Sequence, residues 1–144
     1  CRRSRLDLCL YFIEDNVGGG SDFRRVDAEF VRGIIKEGKE KKLVPRPYPA
    51  GGEDLQGICF CCDDCCTYFS AEEEVCKPGE YIEKTDTITC SNCGSCVEVC
   101  YFSARLFEEG ELRINRENCT GCGLCEISCP EACIQMVLRA GREG

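Results

Sequence analysis

Cysteine carries the chemistry open to this sequence. There are 17 cysteines in 144 residues. Cys90, Cys93, Cys96 and Cys100 form the run C-x2-C-x2-C-x3-C, and Cys119, Cys122, Cys125 and Cys129 repeat it. Every member of the second set is displaced from its counterpart by the same interval, Cys90 to Cys119 through Cys100 to Cys129. A fixed displacement of this kind marks a duplicated supersecondary unit. Three uses compete for thiols at such density: a disulfide scaffold, structural zinc and iron–sulfur clusters. A scaffold favours an even count, and this count is odd. Zinc sites close with four ligands and rarely show two interlocked sets with a third CxxC step. Iron–sulfur ligation suits the spacing, since three thiolates two residues apart wrap one face of a cubane. Backbone N–H groups of such a loop then point at its sulfides.

A second group is denser still. Cys59, Cys61, Cys62, Cys65 and Cys66 place five thiols in eight residues. A third [4Fe–4S] cluster, a zinc site and a reactive redox thiol cluster all compete here. Neighbouring cysteines on a strand face opposite ways, so all five reach one cubane only if the loop coils. Gly57 lends it that freedom. Cys9 and Cys76 are available as outside ligands. Asp63 and Asp64 raise thiol pKa values nearby, which weakens the reactive-thiol alternative. Cys133 is expected to be a buried structural cysteine, packed as a small hydrophobe.

Other chemistries are excluded by composition. Histidine is absent, which removes Ser-His-Asp triads, HExxH zinc sites, Rieske ligation and His-ligated haem. The longest apolar run, Leu8 to Ile13, has six residues, well short of a membrane span. The net charge of −8 repels phosphates, so no nucleic-acid partner is expected, and it suits docking to a basic patch on a redox partner. The chain starts at Cys1 rather than Met, and a fragment, a processed form or the ordered part of a longer chain all fit. Reduced thiols in such number predict a cytoplasmic location.

The positioning elements can be read along the chain. Arg2, Arg3 and Arg5 are expected to be a solvated basic terminus, and Leu8 to Ile13 a short strand or buried turn before Gly18, Gly19 and Gly20. Residues 27–42 predict a helix capped by Asp27, with Phe30, Ile34 and Ile35 on its buried face. Gly33 and Gly38 weaken that helix, so packing must hold it. Pro45, Pro47, Pro49, Gly51 and Gly52 predict a linker or wrapping arm. Residues 67–89 are acidic and polar, with a turn at Pro78-Gly79. Apolar runs after each cysteine set (Ala104, Leu106, Phe107, Leu112, Ile114; Ile134, Met136, Val137, Leu138) predict short covering strands. Gly94 and Gly123, each after the second cysteine of its loop, allow close backbone approach and unusual φ.

The two runs CSNCGSCVEVC and CTGCGLCEISCP resemble the bacterial-type 2[4Fe–4S] ferredoxins over about the last 55 residues. The resemblance implies an α+β, bacterial dicluster ferredoxin-like fold at 81–144. A helical/irregular N-terminal extension would occupy 1–56, and a cysteine-rich segment 57–80. It also implies crossed ligation, with Cys90, Cys93, Cys96 and Cys129 on one cluster and Cys119, Cys122, Cys125 and Cys100 on the other. Pro130 follows the family pattern, whereas Tyr101 stands where the first repeat would have proline. The GICFCCDDCC segment resembles the CNCC-type motif upstream of the dicluster domain in a group of anaerobic ferredoxin-like proteins. The whole is similar to iron–sulfur electron-transfer subunits of anaerobic oxidoreductases. A tungsten- or molybdenum-dependent reductase is one such setting, and the iron–sulfur partner of aromatic acyl-CoA reductases an example. The expectation is an electron-relay subunit, not catalytic alone, whose partner is a larger redox subunit or a soluble electron donor. The alternatives are a catalytic subunit with an open iron site and a non-redox, metal-stabilised interaction domain.

Overall fold

A computed structural model of the chain describes residues 2–5, 8–12, 23–48, 55–64, 66, 69 and 78–140. Ile13, Gly18, Gly19, Gly20, Pro49, Gly51, Gly52, Cys65 and Cys76 lie outside the described residues. The chain divides into two units, Cys1–Val75 and Cys76–Gly144. No helix among the described residues is long and apolar enough to cross a membrane.

In the N-terminal unit the helix α1 (Ala28–Glu40) begins where Asp27 accepts a hydrogen bond from the Phe30 N–H at 2.8 Å. That contact satisfies one of the orphan donors of its first turn. Its buried stripe is Phe30, Ile34 and Gly38 rather than Ile35, which stays 40% exposed. Gly38 belongs to the stripe because the Phe60 ring lies against it, only 2.6 Å from where a Cβ would stand. The extension is more than helix and irregular chain. Strands β1 (Cys9–Tyr11), β2 (Val44–Tyr48) and β3 (Gly57–Cys61) form an antiparallel sheet in the order β1-β3-β2.

The expected proline arm is therefore an edge strand. Tyr48 is bonded to the β3 side through its carbonyl, which accepts from Gln56 N–H. By alternation Pro45 and Pro47 turn their missing donors to the free edge, the one place in a sheet where proline costs no ladder bond. Cys-rich residues 57–61 do not coil either, because β3 is the central strand with a partner on each side. Gly57 instead lies under the Leu10 carbonyl, 2.5 Å from a built Cβ, and its bare face lets Tyr11 and Tyr48 meet edge to face at 5.9 Å. One sheet face packs Leu8, Leu10, Phe60 and Cys62 against α1, Ile34 and Leu43. The basic terminus is not simply solvated: Arg2 pairs with Asp64 at 2.7 Å, Arg3 with Asp63 at 2.9 Å and Arg5 with Glu37 at 3.1 Å.

In the C-terminal unit β4 (Tyr81–Thr85) pairs antiparallel with β7 (Ile134–Leu138), and β5 (Arg105–Glu108) with β6 (Glu111–Ile114). Glu109 and Gly110 both hold positive φ, as a two-residue type I′ hairpin loop requires. The apolar runs after each cysteine set thus form strands. Residues 67–89, read as polar chain, contain one as well. The β4 alternation is hidden because its inward residue is Glu83, whose burial is tolerated only by pairing with Arg105. Short helices α2 (Ser95–Glu98) and α3 (Leu124–Ser128) follow the two cysteine loops.

Candidate metal centre

The repeat extends from sequence to backbone conformation. Asn92 and Gly121, Gly94 and Gly123, and Ser103 and Ala132 are three counterpart pairs, and all six residues hold positive φ. Gly94 and Gly123, at 84° and 78°, stand as N-caps of α2 and α3 and turn each loop into its helix. A left-handed residue beside right-handed ones gathers successive N–H groups into a concave, anion-attracting nest. Each short helix then carries the third cysteine of its loop, Cys96 or Cys125.

Two pockets result, and their cysteines come from both repeats. One is lined by Cys90, Cys93 and Cys96 of the first loop together with Cys129 of the second repeat, around about 310 Å³ of space that includes its open mouth. The other is lined by Cys119, Cys122 and Cys125 together with Cys100, around about 360 Å³. Among the described residues no three Cys, Asp or Glu side chains converge as ligands of a single ion. The thiols surround a volume instead, which suits a cubane better than zinc. Thr120 Oγ1, buried without a hydrogen-bond partner, lines the second pocket and is free to donate to a sulfur there. The donor set and the nest geometry both fit [4Fe–4S] clusters.

Local contacts set the thiols apart. Burial pushes Cys125 up to about 12 and raises Cys122 as well. Cys93 is lowered by the Ser95 hydroxyl and N–H. At Cys129 burial works upward, but the N–H and thiol of Cys133 outweigh it and bring the pKa below the ordinary value. Cys133 itself is buried in the apolar cluster with Cys96 and Ile134, its Sγ 3.4 Å from that of Cys129, and burial raises it to about 12. Sequence reasoning missed Arg105. Its side chain is 1% exposed, and it donates to Cys96 Sγ at 3.3 Å, to Thr85 Oγ1 at 2.5 Å and to the Glu83 carboxylate. Arg105 also lines the second pocket, so one guanidinium serves both. Burial works against its charge, yet Cys125, Cys96 and Glu83 hold its pKa above the usual value. Its counterpart in the second repeat is Ile134, and that break in the repeat was the available signal.

In the N-terminal unit the five clustered cysteines part company. Cys59 and Cys61 lie on the sheet face opposite α1, whereas Cys62 turns into the core with Leu8, Ile34 and Leu43. Cys9 stands directly across from Cys59 in register, and the Cys59 thiol donates to it, lowering Cys9 to about 7. The Sγ atoms of Cys61 and Cys66 are 3.1 Å apart.

Fold and pockets together define an iron–sulfur protein. The 4Fe-4S dicluster domain family matches residues 89–133, and this chain carries a 2[4Fe–4S] ferredoxin domain there. It is 42% identical over 62 residues to an uncharacterized ferredoxin of Methanocaldococcus jannaschii, covering 42% of this chain and 35% of that one. It is 37% identical over 59 residues to the archaeal-type glutamate synthase [NADPH] of Thermotoga maritima and of Thermotoga sp. (strain RQ2), covering 40% of this chain and 12% of each relative. The matched region thus spans about a third or less of these relatives' lengths.

Proposed function

We propose that this chain is the small electron-relay subunit of an anaerobic multi-subunit oxidoreductase. Cys90, Cys93, Cys96 and Cys129 would hold one [4Fe–4S] cluster, and Cys119, Cys122, Cys125 and Cys100 the second. The observation that carries the reading is the crossed lining of the two pockets, three thiols from one repeat and the fourth from the other. When bound, such clusters supply one-electron chemistry. The residues of the chain hold the thiolates in place, exclude water with Ile134, Leu112 and Met136, and place donors on the ligand sulfurs.

Two observations support a partner. The sheet and helix of residues 1–75 exceed what a dicluster carrier requires, and the related stretch in glutamate synthase amounts to 12% of a longer chain. The acidic charge suits steering toward a basic surface. A third cluster, in the N-terminal unit, would extend the relay. The test is anaerobic purification with metal analysis. The C-terminal unit should contribute about 8 iron and 8 acid-labile sulfide per chain. Zinc without labile sulfide would sink the proposal.

A further inference from the structure

The face of the N-terminal sheet turned away from α1 gathers thiols from three separate segments. Cys9 comes from β1, Cys59 and Cys61 from β3, and Cys66 from the chain beyond it. In this ladder Leu8 and Phe60 are a hydrogen-bonded pair, since Phe60 N–H donates to the Leu8 carbonyl. Cys9 and Cys59, one step along, are therefore a non-hydrogen-bonded pair, the kind whose side chains approach most closely. Cys59 and Cys61, two residues apart, are displaced along the same face by about 6.7 Å. Cys66 returns beside Cys61. The thiols are thus spread in two directions over the sheet instead of lying in one line.

A charge stands among them. Arg46, only 8% exposed, lies directly across from Cys59 on β2, so the row across the sheet reads Cys9, Cys59, Arg46. Its field acts on both Cys59 and Cys61. A core needs no such arrangement, since the opposite face already supplies the unit with its apolar packing. Four thiolates around an iron–sulfur core carry net negative charge, and a half-sequestered guanidinium offsets it.

We propose that Cys9, Cys59, Cys61 and Cys66 hold a third [4Fe–4S] cluster on this face, with Arg46 as its fixed countercharge and Cys62 as a core residue without a ligand role. The assignment rests on the reading of the chain as an iron–sulfur electron carrier and names the ligands of its N-terminal centre. The four thiols bind as thiolates and release their protons to solvent. Arg2 and Arg3 hold Asp63 and Asp64, and so fasten the loop between Cys62 and Cys66. Those ion pairs also answer the carboxylates that would otherwise add negative charge beside the site.

The full chain, produced anaerobically and reconstituted with ferrous iron and sulfide, tests this through iron, sulfide and zinc analysis and through EPR after complete reduction. Wild type should hold about 12 iron and 12 sulfide, and Cys59→Ser/Cys61→Ser about 8 of each, a loss of one third. Cys9→Ser should lose the same EPR centre, and Cys62→Ser should keep about 12 iron even if its stability falls. The two remaining centres in the double variant show that the chain has folded. Wild type at about 8 iron overturns the proposal, as does a double variant that keeps about 12. One zinc per chain beside about 8 iron also overturns it, and so does a Cys9–Cys59 disulfide in the anaerobic protein. Fewer than about 8 iron, with the C-terminal signals missing, would refute the dicluster reading itself and this assignment with it.

Discussion

Arg105→Met should lower the reduction potential of the cluster in the Cys90 pocket by about 50 mV. The cation sits 3.3 Å from Cys96 Sγ and donates a hydrogen bond to it. A unit charge at that distance is worth about 5 kcal/mol at an effective dielectric of about 20. Suppose the added electron is shared so that about a quarter of its charge reaches Cys96. Arg105 then stabilises the reduced form by about 1.3 kcal/mol, and about 1.4 kcal/mol corresponds to about 59 mV for one electron. The sign is fixed, because a cation favours the state with more negative charge and its removal lowers the potential. The cluster in the other pocket should shift the same way but less, because Arg105 lines that pocket without an identified bond to its sulfurs.

Folding must be separated from tuning. Glu83 is buried with Arg105, and removing one member of a buried pair costs about 3–5 kcal/mol. Arg116, 3.0 Å from the other Glu83 oxygen, reduces that cost. Arg105→Lys keeps the charge and loses the fork, so its potential should stay within about 20 mV of wild type while its stability falls. The assay is an EPR-monitored redox titration of anaerobic protein with full iron content. If the methionine variant retains both clusters and neither potential moves by more than about 10 mV, the electrostatic argument is wrong.

Three further outcomes follow from the geometry. Cys129→Ala should lose the cluster of the Cys90 pocket, whereas Cys133→Ala should keep both clusters and cost about 1 kcal/mol of stability, read by iron content and thermal unfolding. Gly121→Ala should destabilise the C-terminal unit by about 2–4 kcal/mol, because a Cβ would lie 2.3 Å from the Tyr81 carbonyl oxygen. Gly110→Ala, at the same φ of 83° but with open space around it, should cost only about 1–2 kcal/mol in the same denaturant titration. Electron transfer to a basic partner should slow as salt rises past the point where the Debye length is about 8 Å, and a rate indifferent to salt would point to a permanent apolar interface.

Much of the C-terminal unit was legible because its determinants are local. Cysteine spacing, the glycine after each second cysteine and the apolar runs all act over short stretches of chain, and the pockets follow from them. What was hidden depends on partners far along the chain. β4 reads as polar because Glu83 finds its partner on another strand, in Arg105. β2 reads as an arm because prolines signal irregular chain unless their donors face a free edge, and only the pairing with β3 shows that they do. The split of Cys61 from Cys62 needed the strand direction, and the role of Cys9 needed the long-range register that sets it across from Cys59. Ile35 looks like a core residue by spacing, yet the partner of α1 is Phe60 on Gly38, which turns the stripe toward Phe30, Ile34 and Gly38.

Duplication alone would make two equivalent pockets, and equivalent pockets would hold an electron with equal ease. The chain departs from its own repeat at Ser95 against Leu124, Ala104 against Cys133 and Arg105 against Ile134, each pair set apart by the same interval as the paired cysteines. These departures converge on one pocket. Ser95 bonds to Cys93, Cys133 to Cys129 and Arg105 to Cys96, and all three sulfurs line the Cys90 pocket. Hydrogen bonds to ligand sulfurs stabilise the more negative state, so each departure pulls in the same direction. The opposing influence is small by comparison: Thr120 offers one hydroxyl to the other pocket, and its counterpart Ser91 stands beside the first, so that pair cancels. The Cys90 pocket is accordingly where the reducing electron should come to rest, and the difference between the pockets gives the relay a preferred direction along the chain.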